Sequence, residues 1–248
     1  MPALSVNQTG TRSLGIIGGL SWVSTLLYYR WINEAVQHAR GRQASAELVI
    51  RSVDFQPVID AQMANDWARA GQIVVRAAAD IARAGASAFL IASNTMHLAA
   101  AAADEAVNLP RLDIFDATAA AIQVSGCSQV ALLGTRYTMD MPFFRDQFRQ
   151  RGIDVIVPEA ADGRRVNEII FRELIHDRMS ADASRALDDI VGRMQSRGAG
   201  GVILGCTELA LYQTARIGQR GDLLFFDSAR LHALAAAEWL LQDPNKSQ

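Results

Sequence analysis

The sequence has few cysteines and almost no lysine. Its 248 residues include two cysteines, Cys127 and Cys206, and a single lysine, Lys246. Two cysteines exclude a disulfide framework and a multi-cysteine zinc site, and four scattered histidines show no metal-ligand spacing, so no metal is predicted. A Schiff-base mechanism with pyridoxal phosphate is almost excluded, because the only lysine is near the end of the chain and matches no recognisable cofactor site.

Long apolar runs and a strong charge of one sign are also missing. No stretch reaches the roughly 20 apolar residues of a membrane span, and residues 1–13 lack the apolar segment of a secretory signal. The formal net charge is −2, with no basic run to bind nucleic acid or an anionic membrane. Half of the residues are hydrophobic and 20% are charged, which is typical of a folded globular protein. We therefore expect a cytoplasmic protein with both thiols reduced.

Short apolar runs alternate with longer amphipathic segments. Strands are predicted at 14–18, 46–53, 86–92, 129–134, 154–157 and 201–205. A helix is predicted to follow Gly19 and run through Tyr28 to Val36. Further helices are predicted over 66–83, 94–107, 141–151 and 227–241, and another is predicted to start at the N-cap Ser180 and end near Ser196. This alternation predicts an α/β fold with mainly parallel sheets flanked by helices.

The two halves of the chain have similar spacing. In each half, a strand that ends in glycine precedes a strand that is followed by a small nucleophilic residue. Gly18 lies 75 residues before Ser93, and Gly134 lies 72 residues before Cys206. This spacing indicates an internal repeat, although any α/β protein can produce such a coincidence.

Polar residues follow five of the predicted strands, at 18–21, 52–54, 93–97, 134–138 and 205–208. Ligands of parallel α/β proteins bind at the carboxyl ends of the strands, and helix N-termini there favour an anion. These segments therefore predict a cradle for a carboxylate or a phosphate. The glycine pair at 18–19 has neither Rossmann nor P-loop spacing, so no nucleotide is predicted.

Cys206 is the most informative single residue. It follows a predicted strand and begins a predicted helix, where the helix dipole favours the thiolate and lowers the thiol pKa. A lone cysteine is more often an inert buried side chain, which is our interpretation of Cys127, in a turn before a strand. Thr207 and Glu208, directly after Cys206, favour a functional role for that thiol.

The four histidines have separate interpretations. His38 and His176 are predicted to lie at the surface. His97 is predicted to pack or to form a hydrogen bond. His232 either is structural or orients the region of Cys206.

Seven motifs are specific when taken together: GIIGGLSWVSTLLYYRWINEAV, RSVDF, NTMH, ALLGTRYTM, VNEIIFREL, GVILGCTE and FDSARLHA. With them, nearly the whole chain resembles the aspartate/glutamate racemase superfamily, and within it the bacterial L-aspartate/glutamate-specific racemases. The resemblance implies an isomerase that needs no cofactor and forms a homodimer. It also implies two pseudo-symmetric α/β domains with the active site in the cleft between them. Their bounds would be 1–112 plus 227–248, with a returning C-terminal helix, and 113–226.

The resemblance implies two facing thiols as acid and base. Cys206 matches the second of them, but Ser93 stands where most of the family has cysteine and the L-specific group has threonine. Ser93 is therefore either native chemistry or an engineered replacement of cysteine. Because a hydroxyl is a far weaker acid than a thiol, we expect the two reaction directions to be unequal. By analogy with the family, Cys206 should deprotonate the L enantiomer quickly.

The resemblance also assigns contacts to a dicarboxylic amino acid as substrate. The α-carboxylate would be held by Asn94, Thr95, Thr135, Thr138 and Thr207, the distal carboxylate by Gln62 and Arg165, and Leu20 and Tyr137 are further substrate-binding positions. Arg165 has an alternative interpretation as a solvated arginine beside Arg164. Asp54 and Glu208 are candidate supporting partners.

Two other functions remain open. An arylmalonate-type decarboxylase would use Cys206 alone, to protonate an enediolate. A catalytically impaired homologue would bind aspartate or glutamate without exchanging the α-hydrogen.

Overall fold

The computed structural model describes residues 12–215 and 223–242. Within these residues the chain divides into two compact units. Unit 1 contains the chain up to Ala92, then Ala99–Leu112, and the residues from Ala233 onward, and unit 2 contains Ser93–Leu98 and Asp113–His232. The predicted domains place 93–98 and 227–232 in the first domain, whereas here both segments belong to unit 2.

Unit 1 contains a parallel sheet of three strands in the order β2-β1-β3. The central strand, β1, is buried along its whole length. Because Gly15 has no side chain, Ile81 can approach this strand: a Cβ at Gly15 would lie 2.1 Å from Ile81 Cγ2. The elements are β1 (Leu14–Gly18), α1 (Trp22–Arg40), β2 (Leu48–Ser52), α2 (Gln56–Met63), α3 (Trp67–Arg83), β3 (Ala88–Ile91) and α4 (Ala100–Ala106).

Unit 2 contains a parallel sheet of four strands in the order β5-β4-β6-β7. Its elements are α5 (Ile114–Ser125), β4 (Gln129–Leu133), α6 (Arg136–Asp140), α7 (Pro142–Gln150), β5 (Asp154–Ile156), α8 (Ala160–Arg172), α9 (Ala181–Ser196), β6 (Gly201–Leu204), α10 (Ala210–Ala215) and β7 (Leu224–Asp227). The last helix, α11 (Ser228–Leu241), contributes its first five residues to unit 2 and the remainder to unit 1.

Both faces of the four-stranded sheet are buried. Val130 and Leu132 of β4 pack in a cluster with Phe115 and Phe144. Their neighbours Ala131 and Leu133 pack in a second cluster. Because successive strand residues point to opposite faces, the two clusters are the two helix-covered sides of a parallel sheet, as the strand–helix alternation predicts.

Helix boundaries follow local capping chemistry. The predicted helix after Ser180 is confirmed: Ser180 Oγ accepts a hydrogen bond from the Ala183 backbone N–H at 3.1 Å, and α9 ends at Ser196. Asp66 caps α3 by accepting from the Arg69 N–H at 3.0 Å. Each cap satisfies a backbone donor that has no partner within the helix.

Two predicted elements need correction. The helix predicted over 94–107 is a 3₁₀ helix over Thr95–Ala99, followed by α4. The helix predicted from Asp227 begins one residue later, at Ser228, because Asp227 is the last residue of β7. β7 was absent from the predicted elements.

The sheets repeat the same connectivity. In each unit the first strand in sequence is central, the second pairs on one side, and the third pairs on the other. Ser93 is the second residue after β3, and Cys206 is the second residue after β6. The two predicted reactive residues therefore occupy equivalent topological positions. No helix among the described residues is long and apolar enough to cross a membrane.

Candidate active site

Cys206 lies in the turn between β6 and a 3₁₀ helix formed by Thr207–Leu209. The turn starts at Gly205, where a Cβ would lie 2.9 Å from Leu133 O and 3.0 Å from Thr138 Cγ2. Glycine therefore lets the chain leave β6 close to the end of β4. The backbone N–H of Gly205 donates to Leu133 O at 2.7 Å, which fixes the start of this turn.

The Cys206 thiol contacts a carboxylate. Its Sγ donates to Glu208 Oε2 at 2.9 Å. The hydroxyl of Thr207 donates to the same oxygen at 2.8 Å. Two neighbouring donors thus converge on one carboxylate oxygen, so Glu208 orients both side chains.

The thiol pKa moves in the direction opposite to the prediction. Burial raises the pKa of Cys206 well above its usual value, and the charge of Glu208 and its hydrogen bond raise it further. The prediction of a thiolate stabilised by a helix N-terminus is wrong, because Cys206 caps a 3₁₀ helix of only three residues and a carboxylate faces the sulfur.

The Ser93 segment is held by its own side chains. Ser93 Oγ accepts a long hydrogen bond from the Met96 N–H at 3.4 Å, so its hydroxyl proton is not used in this bond. His97 Nδ1 lies 2.7 Å from Ser93 O. A carbonyl only accepts, so Nδ1 carries the proton.

His97 is almost completely buried and packs edge-on against two rings. Its centroid lies 5.6 Å from that of Phe115 and 5.8 Å from that of His232. The predicted packing and hydrogen-bonding role of His97 is therefore confirmed. His232 is fully buried in the same cluster, and His38 and His176 are exposed as predicted.

Asn94 and Ser228 join the Ser93 segment to β6. Asn94 Nδ2 donates to Ser228 Oγ at 3.1 Å, and Ser228 Oγ donates to Leu204 O at 2.8 Å. Leu204 is the last residue of β6, two positions before Cys206. These bonds connect the segment that follows Ser93 to the end of β6 within unit 2. Thr95, also predicted to bind substrate, begins the 3₁₀ helix after Asn94.

The turn after β4 places three predicted residues together. Thr138 is buried, and its methyl group lies against Gly134 and Gly205, where an added Cβ would meet it. The hydroxyls of Thr135 and Thr138 are 3.5 Å apart. Asn167 Oδ1 accepts from the Arg136 N–H at 2.9 Å and so anchors the turn to α8. Tyr137 is half-buried in this turn.

Arg165 is already paired with carboxylates. Its guanidinium donates to Asp182 at 2.6 Å and to Glu168 at 3.2 Å. Its side chain is 37% exposed. Arg165 is therefore not a purely solvated residue, and any further anion must compete with two carboxylates of unit 2.

Two predicted substrate contacts belong to unit 1. Leu20 and Gln62 are both nearly buried, with 4% and 6% of their surface exposed. Leu20 follows Gly19, which needs its positive φ of 78° and a missing side chain, since a Cβ there would lie 2.1 Å from Val53 O. Among residues 12–215 and 223–242, no cluster of three or more histidine, cysteine, aspartate or glutamate side chains could hold a metal ion.

The sequence from 17 to 236 matches the family described as Asp/Glu/Hydantoin racemase. The chain belongs to this family. The match covers Ser93, Cys206 and most of the motifs noted in the sequence.

Solved structures of racemase relatives have the same fold. A candidate Asp/Glu racemase from Yersinia pestis is 39% identical, with a TM-score of 0.87, over 93% of this chain and 100% of that one. An aspartate racemase homologue from Pyrococcus horikoshii OT3 is 33% identical, with a TM-score of 0.79 and the same coverage. A glutamate racemase from Francisella tularensis, solved with D-glutamate, is 15% identical with a TM-score of 0.63, covering 93% of this chain and 81% of that chain, and shows the fold alone.

A curated relative matches only part of the chain. An uncharacterized protein from the pnlA 3′ region of Pectobacterium carotovorum subsp. carotovorum is 33% identical over 100 residues, which are 40% of this chain and 65% of that protein. The match thus spans less than two thirds of that relative.

Sequence reasoning gave no role to two residues that organise this racemase-family site. Ser228 and Asn167 each hold a loop through a side-chain bond that spans many positions of sequence. Ser228 lies in the motif FDSARLHA and Asn167 in VNEIIFREL, so the motifs marked both residues. Their contacts depend on the tertiary fold.

Proposed function

We propose that this protein is a cofactor-independent racemase of aspartate or glutamate, with Cys206 as thiol acid/base and Ser93 in the position of the second cysteine. The observation that supports it most is the equivalent placement of Cys206 and Ser93, each two residues beyond the third strand of its repeat. Membership of the racemase family supports the reaction class. With one lysine, Lys246, in the tail and outside the described residues, a Schiff-base route has little to support it.

The contact between Cys206 and Glu208 provides a route for the thiol proton. Transfer of the proton from Sγ to Oε2, across 2.9 Å, leaves a thiolate beside a neutral carboxylic acid. The thiolate then takes the proton from Cα and becomes a thiol again, leaving an enolate-like carbanion. Burial raises the pKa of Cys206, and perturbed pKa values of this kind are common at proton-transfer sites.

Inversion needs a proton from the opposite face. We propose that the Ser93 hydroxyl delivers it, or positions a water that does so. The Ser93 side then recovers a proton from solvent while Glu208 returns its proton to solvent, so that the balance of protons closes. Because a serine hydroxyl is a much weaker acid than a thiol, this step is the slower one.

The α-carboxylate of the substrate needs hydrogen-bond donors near Ser93 and Cys206. We propose that Asn94, Thr95, Thr135, Thr138 and Thr207 supply them. The half-buried residues of this set are the candidates for direct contact with the carboxylate. Thr138 is buried and instead supports the turn after β4 through the contacts of its methyl group with Gly134 and Gly205. Tyr137, Leu20 and Gln62 remain predicted substrate contacts.

We propose that Arg165 selects dicarboxylates by binding the distal carboxylate. The existing partners Glu168 and Asp182 hold its guanidinium, so the substrate would share or displace one of them. Loss of a charge-assisted contact costs about 1.5–3 kcal/mol, which predicts that Arg165→Ala lowers kcat/KM for aspartate and glutamate by about 10- to 100-fold. Measured alongside alanine or serine as substrate, an equal loss on all substrates would contradict this role.

A second candidate is a decarboxylase of arylmalonate type. The raised pKa of Cys206 favours it, because such an enzyme uses one thiol to protonate an enediolate and needs no second base. The hydrogen bond between Cys206 and Glu208 favours the racemase. Reversible proton transfer needs an acceptor for the thiol proton, whereas the decarboxylase needs only the thiol.

The proposal is tested by incubating the protein in D₂O with each enantiomer of aspartate and glutamate and, separately, with an aryl malonate. Entry of deuterium at Cα together with inversion, measured by mass and chiral chromatography, is the expected result. Release of CO₂ from the malonate without exchange of amino acids would support the decarboxylase instead. Calorimetric binding of aspartate or glutamate without exchange would indicate the impaired homologue.

A further inference from the structure

Ser228 is the central member of a buried hydrogen-bond chain. Its Oγ lies 3.1 Å from Asn94 Nδ2, 3.2 Å from Asn94 Oδ1 and 2.8 Å from Leu204 O. A serine hydroxyl has one proton to donate. Because Leu204 O is the nearer oxygen, the hydroxyl donates to it and accepts from Asn94 Nδ2. The chain therefore runs in one direction, from the Asn94 amide through Ser228 to the β6 carbonyl.

Ser228 itself is fixed by the sheet. It is 1% exposed and directly follows β7, whose last residue Asp227 pairs in register with Leu204 of β6. It also begins α11, where Asp227 Oδ1 accepts from the Arg230 N–H at 3.0 Å. A hydroxyl held in this way is a rigid anchor, and a hydrogen bond is electrostatically stronger in the protein interior than in water.

The two ends of the chain are next to the two candidate reactive residues. Asn94 directly follows Ser93, and Leu204 precedes Cys206 by two positions. The segment Ser93–Leu98 belongs to unit 2 together with β6, although β3, which precedes it, belongs to unit 1. Through Ser228, the Asn94 side chain thus links the Ser93 loop to Leu204, the last residue of the strand that precedes Cys206.

We propose that Ser228 is a positioning residue that holds the Ser93 loop against the end of β6 and so sets the separation between Ser93 and Cys206. Its kinetic consequence rests on the proposed racemase function. Proton transfer depends steeply on geometry, and a displacement of about 1 Å can cost up to about 100-fold in rate. Ser228 does not contact the reacting carbon in this proposal; it acts through Asn94.

The kinetic test compares three substitutions at one position. Ser228→Ala removes both bonds and is expected to lower kcat for α-hydrogen exchange at least about tenfold, with a smaller rise in KM. Ser228→Thr keeps the hydroxyl and is expected to restore most of kcat. Should Ser228→Ala fail to fold, Ser228→Cys keeps nearly the same volume while weakening both bonds, and the same loss of kcat is expected.

A matched control is available in the same unit. Thr118 is fully buried, and its Oγ1 donates to Ile114 O at 2.7 Å. Thr118→Val removes a buried hydroxyl-to-carbonyl bond that touches neither loop. It is expected to lower the melting temperature while leaving kcat within about twofold of wild type, so a general loss of stability is separated from a loss of positioning.

A second readout does not depend on catalysis. In a Cys127→Ser background, Ser93→Cys places a thiol on each loop, and a short bifunctional thiol reagent can bridge the two. We expect Ser228→Ala to slow this bridging several-fold, as measured by mass spectrometry of the linked peptides. Thr118→Val in the same background should leave the bridging rate unchanged.

The outcomes are distinct. Slower bridging with reduced kcat supports the proposal. Slower bridging in a chain whose wild type exchanges no amino acid supports the positioning role and refutes the proposed racemase function. Unchanged bridging together with a kcat within about twofold of wild type in Ser228→Ala would overturn the proposal, whatever the wild-type activity.

Discussion

The ends of β3 and β6 occupy equivalent places in the three-strand order that the two sheets share, β2-β1-β3 and β5-β4-β6, but they carry different chemistry. The β6 end has a thiol bonded to a carboxylate, whereas the β3 end has a hydroxyl that accepts one long backbone hydrogen bond. The β6 end therefore has a thiol, which is a stronger acid than a hydroxyl, and a carboxylate that accepts its hydrogen bond. The comparison teaches that a repeated fold can keep its geometry while its two halves diverge in acid strength.

Removing the thiol at the end of β6 should have the largest effect on activity. General acid–base groups contribute about 10²–10⁴-fold, so Cys206→Ala is expected to lower α-hydrogen exchange by at least about 100-fold with the fold intact. Cys127→Ala is the matched control, since Cys127 lies away from both strand ends, and should retain wild-type exchange. A variant that keeps more than about a tenth of the activity, a loss below about 1.4 kcal/mol, would remove Cys206 from the mechanism.

Placing a thiol at the end of β3 as well should reduce the difference in exchange rate between the two enantiomers. Ser93→Cys restores a thiol at the end of β3 and is expected to raise exchange of the slow enantiomer by about tenfold, since a thiol is a far better acid than a hydroxyl. Deuterium entry into that enantiomer measures the change. No increase would show that the loop after β3 is built for a hydroxyl and that Ser93 is the native residue.

Weakening the interaction between Cys206 and Glu208 should have a smaller effect, which is measured as a change in the reactivity of the Cys206 thiol. Burial is the main cause of the raised pKa of Cys206, and Glu208 adds to it. Glu208→Gln removes the charge, so the thiol pKa falls and more thiolate is present at a given pH. In a Cys127→Ser background we therefore expect iodoacetamide to react several-fold faster at pH 8–9, with the pH midpoint of alkylation moved to lower pH.

The same assay can refute the role of Glu208. An alkylation profile that does not move in Glu208→Gln would show that burial alone sets the pKa. A profile that moves to higher pH would mean that the carboxylate stabilises the thiolate.

The sequence predicted most strands and the repeat because these depend on local patterning. Apolar runs such as 129–134 and the cap at Ser180 needed only neighbouring residues. The equivalent placement of Ser93 and Cys206 could also be predicted from the sequence, since both follow strands at matched spacing.

Other features depend on residues distant in sequence or on side-chain direction. The predicted low pKa of Cys206 was wrong because the dipole argument ignored burial and the orientation of Glu208, which only the fold determines. The bond between Asn94 and Ser228 joins residues 134 positions apart. Likewise, β7 is defined by its pairing with β6, which depends on the tertiary fold.

The most direct test of the unequal strand ends is the initial rate of deuterium entry, with retention of configuration, into each enantiomer of the preferred substrate. Because the equilibrium constant of racemisation is one, kcat/KM must be equal in both directions, so the inequality has to appear in exchange. The enantiomer whose Cα–H faces Cys206, predicted to be L, should exchange much faster than it inverts, whereas the other should exchange no faster than it inverts. Equal exchange with retention in both enantiomers would contradict the account.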